Sequence, residues 1–187
     1  MTLEEARNLA RQRMGDERFI HTLGVEKAAM KLASLYGADV ETAGLAGLLH
    51  DICKELPKED LLHWVDSSDI ILGGNAENFR PVLHAFAGGL YVKRELKLSD
   101  EISDAVMYHT TGRAGMSLME KIVFLADLIS EERDFDGVEK LRDLAEKDLD
   151  AACLEALGIN IRHIVDKGFF IIGYTIDAYN WFVEITR

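Results

Sequence analysis

The chain has 187 residues, 48% hydrophobic and 29% charged, the make-up of a globular protein of one domain's size, able to bury roughly 70% of its unfolded surface. Its net charge of −12 opposes nucleic acid polymers and anionic membranes, so a phosphate ligand has to be held locally, by metal ions and a few Arg or Lys. Apolar runs such as KIVFLADLIS are broken by charge well short of the ~20 residues of a membrane span, MTLEEARNLARQR lacks the form of a signal peptide, and Cys53 and Cys153 without a CxxC pattern read as reduced thiols of a cytoplasmic protein.

Apolar positions recur at three and four between breaks marked mostly by glycine, which predicts helices. The first begins at Thr2 and Glu5. In RFIHTLGVEKAAMKLASLYG the stripe Phe19, Leu23, Ala28, Leu32 and Leu35 ends at Gly37, a C-terminal stop. Asp39 caps a third helix, VETAGLAGLLHDIC, whose small residues allow close packing. Further helices run from Pro81 to about Leu96 and from Ser99 to about His109. Ser117 and Glu120 stand at capping-box spacing before the apolar run of the next. Two more are predicted at 138–146 and 149–167, and a last from about Thr175. GFFIIGYTI is an isolated short extended candidate, and 66–80, 110–116 and 130–137 read as loops. The expectation is an all-α, single-domain helical bundle over 1–187.

Six histidines occur. His21, His50, His84 and His109 each follow apolar residues within or at the end of a helix, and the carboxylates Asp51 and Asp127 stand among leucines. One histidine on an apolar face is more often a hydrogen-bonded core residue. Four of them with two carboxylates would need several independent buried networks, whereas one shared metal site satisfies them together. Imidazole and carboxylate suit iron, manganese or zinc. Cys53, one turn beyond His50, is a weak ligand candidate, and His63 and His163 read as structural.

The order His21, His50-Asp51, Asp127 resembles the HD-domain superfamily of metal-dependent phosphohydrolases. RFIHTLGV, LAGLLHDICKELP, VLHAFAGG, YHTTGRAGMSLMEKIVFLADLIS and ERDFDGVEKLRDLAEKDLDAA are similar to one family within it, the bacterial symmetrical bis(5'-nucleosyl)-tetraphosphatases. The resemblance implies an HD-type bundle with a metal core at about 18–133, completed by helices at 138–187. It implies a cytoplasmic, often dimeric enzyme that binds iron and cuts diadenosine tetraphosphate at its centre into two ADP. His21, His50, Asp51 and Asp127 would hold the metal. Arg18, His21, Asp51, Lys54, His84, His109, Thr110 and Arg133 would meet phosphate or nucleotide, with Asp51, Lys54, His84 and His109 in catalytic roles. Phe170, Ile171 and Thr175 would continue the nucleotide site. Ile172-Gly173 stands where the family pattern has His-Pro, while Thr175 and Asn180 match.

The chemistry fits those residue types. A bound cation lowers the pKa of its water towards ~7, supplying hydroxide at neutral pH, and offsets charge on phosphoryl oxygens. Phosphoryl transfer asks the protein mainly for positioning and charge stabilisation. Lys54 lies one turn beyond Asp51, although pairing with Glu55 or Glu59 is the ordinary alternative. Surface salt bridges are the same alternative for Arg18 and Arg133. Arg113, between the glycines of TTGRAG, is a further phosphate candidate. His84 and His109 serve either a second metal ion or the phosphates, and manganese is open beside iron. Other functions compatible with the residues are hydrolysis of a deoxynucleotide or a guanosine polyphosphate alarmone, a non-catalytic nucleotide-binding module, and a structural helical protein with core histidines.

Overall fold

The computed structural model describes residues 1–68, 70, 72 and 76–187. Ten α-helices lie among them: α1 (Leu3–Arg13), α2 (Asp16–Tyr36), α3 (Val40–Leu49), α4 (Lys58–Asp66), α5 (Leu83–Arg94), α6 (Asp100–Tyr108), α7 (Leu118–Ile129), α8 (Val138–Ala145), α9 (Leu149–Asp166) and α10 (Gly173–Ile185). A short 3₁₀ turn spans Ala76–Phe79, and the rest of the loop expected at 66–80 falls partly outside the described residues. No strand occurs among the described residues.

Local chemistry explains most of the helix ends. Thr2 with Glu5 and Ser117 with Glu120 form the reciprocal capping boxes, and the side chains of Asp39, Ser99 and Asp148 accept backbone N–H groups at the starts of α3, α6 and α9. Each such cap contributes about 1 kcal/mol. Gly37 ends α2 in the left-handed region at φ 73°.

Two expectations need correction. The helix predicted over VETAGLAGLLHDIC stops at Leu49, and the chain continues in successive tight turns (Leu49 to Ile52, Asp51 to Lys54, Cys53 to Leu56). GFFIIGYTI forms no strand: residues 169–172 are irregular, and α10 already begins at Gly173, earlier than Thr175. Its apolar, β-branched composition reads as a strand, but no second strand exists among the described residues to pair its backbone.

The core is one cluster of apolar side chains, with Leu48, Leu49, Ile52, Leu83, Phe86, Phe124 and Leu125 fully or almost fully buried. Helix α2 packs on α3 and α7, α5 on α6, and α9 carries α8, α10 and part of α7. Gly47 sets the α2–α3 approach, since a Cβ there would lie 3.1 Å from the Glu26 Cα. That close crossing brings the middle of α2 against the end of α3, and with them His21 and His50.

Candidate metal centre and nucleotide cleft

Four imidazoles form a continuous row. Ring centroids are 5.3 Å apart for His21 and His50, 5.0 Å for His50 and His109, and 5.3 Å for His109 and His84. All four are buried, as is Asp51. His50 and His109 stand at equivalent places, each the residue after the last turn of its helix (α3, α6). Each has Nδ1 2.7 Å from the carbonyl three residues back, Gly47 and Val106. A carbonyl can only accept, so Nδ1 carries a proton and Nε2 is the nitrogen left facing the interior, the one through which such a histidine ligates a metal.

The inner atoms converge without satisfying one another. Ligand atoms of His21, His50 and Asp51 lie within 4.8 Å of one another, and those of Asp51, His84 and His109 form a second group of the same size. Among the described residues, His50 Nε2 and Asp51 Oδ1 are buried with no hydrogen-bond partner, and His21 Nε2 meets only the Asp127 carboxylate, at 2.9 Å. Leaving such atoms unpaired costs about 1–3 kcal/mol each. An imidazole–carboxylate set with its ligand atoms directed inward fits a divalent cation.

Charge is arranged to match. Burial works against ionisation of Asp51, yet His50 above all, with His109 and His84, holds its carboxyl well below the usual range. Arg18 donates to Asp51 Oδ2 at 2.9 Å. Burial pushes His84 down to about 4, so it is neutral at pH 7, and its Nε2 lies 3.0 Å from Lys54 Nζ and 3.1 Å from Asp51 Oδ1. Burial also lowers Lys54. Thr110 Oγ1 lies 3.0 Å from His109 Nε2.

Asp51, Lys54, His109 and Thr110 reach a cleft of about 810 Å³, well within the range of small-molecule sites. Arg18, Asp51, Lys54, His109, Thr110, Asp127 and Arg133 line its inner part, and Phe170 and Thr175 its outer wall.

Comparison with known proteins agrees with this arrangement. The HD domain family matches residues 18–132. The chain belongs to the HD domain family. It is 37% identical over 188 residues to a symmetrical bis(5'-nucleosyl)-tetraphosphatase of Bacillus subtilis, covering 98% of this chain and 99% of that one. It is 38% identical to a protein of the same name from Halalkalibacterium halodurans, covering 96% of each. A crystal structure from Clostridium acetobutylicum, described as a predicted HD superfamily hydrolase involved in NAD metabolism, superposes with a TM-score of 0.90 at 33% identity, over 99% of this chain and 98% of that one.

Within this HD fold the expected residues divide. His21, His50 and Asp51 come together as one group, and His84 and His109 join Asp51 in the other. Asp127 stands beside the first group rather than in it: its Oδ1 is 2.9 Å from His21 Nε2 and is ion-paired with Arg133, whose Nε also donates to the Asp127 carbonyl. Ile171 does not line the cleft. Ile172, at the departure from the family pattern, does, and it is buried. Cys53 belongs to the core. Arg113 faces Glu120 and Asp104 and lies 4.5 Å over the Tyr108 ring, so its charge is already engaged away from the cleft.

Several lining residues escaped the sequence reading. His163, read as structural, is exposed on the cleft wall with Asn160, one helical turn away, and Phe169, Asn78 and Arg80 also reach it. The i, i+3 spacing of Asn160 and His163 was the available signal, but it does not separate a cleft from solvent. Glu132 was missed altogether, and its Oε1 lies 2.6 Å from His21 Nδ1.

Proposed function

We propose that the protein is a metal-dependent hydrolase that cuts diadenosine tetraphosphate and related dinucleoside polyphosphates symmetrically, yielding two ADP. The observation that carries this reading is the convergence of buried ligand atoms from His21, His50 and Asp51, with Asp51 also lining a cleft that Arg18, Lys54 and Arg133 share. In this reading His21, His50 and Asp51, with Asp127 beside them, hold iron or manganese. A bound divalent metal supplies charge for the phosphoryl oxygens and a water of lowered pKa.

The protein's own groups do the positioning. Arg18, Lys54 and Arg133, all lining the cleft, oppose the charge of the polyphosphate, which a surface of net −12 would otherwise repel. Thr110, on the cleft wall, offers its hydroxyl to a phosphate oxygen near the point of cleavage, and His84 and His109, grouped with Asp51, would serve a second cation that meets the phosphates. Phe169 and Phe170, half exposed at 58% and 50%, present ring faces on which a nucleobase stacks. Cleavage at the centre of the chain follows if the base is held on this wall while the second phosphate of that half lies over Asp51. A cytoplasmic location belongs to the same reading, supported by two buried free cysteines.

The test is product analysis. Protein purified without oxygen and supplied with ferrous iron is given diadenosine tetraphosphate, and the nucleotides are separated by ion exchange. ADP as the sole product is expected. ATP with AMP overturns the symmetrical geometry, and no product under iron or manganese overturns the substrate.

A further inference from the structure

Glu132 reaches His21 from the turn after α7, 111 residues along the chain, and its Oε1 lies 2.6 Å from Nδ1, the ring nitrogen opposite the one that faces the site. Its other carboxylate oxygen lies over Gly24, one turn beyond His21 on α2. A Cβ built on Gly24 would stand 2.2 Å from Glu132 Oε2. Glycine inside a helix is ordinarily a liability, and here the missing side chain leaves the space that the carboxylate fills. The atom in the way is the end of a flexible side chain, so alanine at 24 would displace Glu132 and leave the helix packing in place.

A histidine that ligates through Nε2 needs its proton held on Nδ1. His50 and His109 obtain this at helix ends, from the Gly47 and Val106 carbonyls. His21 lies inside α2, and the hydroxyl of Ser130, at 3.5 Å from Nδ1, is at the edge of hydrogen-bonding range. The carboxylate of Glu132 is the close partner. We propose that Glu132 is the positioning residue for His21, fixing its tautomer and ring orientation and strengthening its hold on a divalent metal, and that Gly24 is the seat that admits it. The proposal rests on the reading that His21 holds a metal. Glu132 acts through the imidazole and touches no reacting atom.

The test is calorimetric titration of the metal-free protein with Mn²⁺, comparing wild type with Glu132→Ala, Glu132→Gln, Glu132→Leu, Gly24→Ala and the Gly24→Ala/Glu132→Ala double variant. Glu132→Ala and Gly24→Ala should each weaken Mn²⁺ binding by about 10–100-fold. Glu132→Gln keeps an oxygen to accept from Nδ1–H and should recover most of the loss, whereas Glu132→Leu, of similar size with no acceptor, should bind as weakly as Glu132→Ala. Recovery in Glu132→Leu would mean a mere packing role and overturns the proposal. The double variant should bind no more weakly than Glu132→Ala alone. Metal-free Gly24→Ala should melt no lower than wild type, because alanine is the better helix former. Wild-type affinity in Glu132→Ala, or losses that add in the double variant, overturns the proposal. Wild-type protein that takes up no Mn²⁺ overturns the metal reading beneath it, and is recognised before any variant is compared.

Discussion

Asp51 is a carboxylate kept ionised in a buried place, and the side chains around it explain how. Arg18 pairs with one oxygen, and imidazole nitrogens of His84 and His109 approach the other at 3.1 and 3.6 Å. Its neighbour Cys53 shows the opposite outcome of burial. Desolvation outweighs the opposing charge of Arg13, and the thiol is pushed up to about 12; Cys153 is likewise raised well above its ordinary value. A thiol reacts as its thiolate, so both cysteines should resist a disulfide reagent at pH 8 in the folded protein and react together once denaturant unfolds it. Fast reaction of either one in the native state would contradict the packing described for it.

At the scale of elements, the turn joining α7 to α8 holds the site together. Arg142 on α8 donates from Nε to the Ile129 carbonyl and from Nη2 to the carbonyls of Ser130 and Arg133. It thereby ties down the segment that presents Glu132 to His21 and Arg133 to Asp127. Hydrogen bonds from a charged group contribute about 1.5–3 kcal/mol. Arg142→Ala should lose about that much in chemical denaturation and should also weaken metal binding. A loss of stability with unchanged metal affinity would show that the turn keeps its shape without Arg142.

Most helices were legible because their starts are written locally, as Thr2-Glu5, Asp39, Ser99 and Ser117-Glu120 show. The end of α3 was not. No glycine or proline marks His50, and the tight turns that replace the helix from Leu49 onward carry no sequence signature. The histidines were legible for a different reason: His21, His50, His84 and His109 are polar in apolar surroundings, which demands a common explanation. Glu132 was hidden because its partner is 111 residues away and an acidic loop such as SEERD looks like a solvated one.

Over the whole molecule, chemistry and recognition come from different stretches of chain. The buried ligand groups lie between His21 and His109, whereas the outer wall is built by Asn160, His163, Phe169, Phe170 and Thr175. Stacking of a base on an aromatic side chain is worth about 1–3 kcal/mol. Phe170→Ala should therefore raise KM for a dinucleoside polyphosphate by about that free energy while kcat and Mn²⁺ affinity hold. A change in kcat alone, with KM unmoved, would place the base elsewhere. The Phe169–Phe170 pair was only half legible, since FFII reads as strand until the absence of a pairing partner is known.

This division has a consequence for how the protein is made. A ribosome delivers the chain from its N-terminus, and every proposed metal ligand, together with Glu132 and Arg133, has been synthesised before α8 begins. The wall of α9 and α10 follows last. A nascent chain that folds as it emerges would meet its metal while the cavity stands open on that side, and only afterwards acquire the surface that selects a nucleotide.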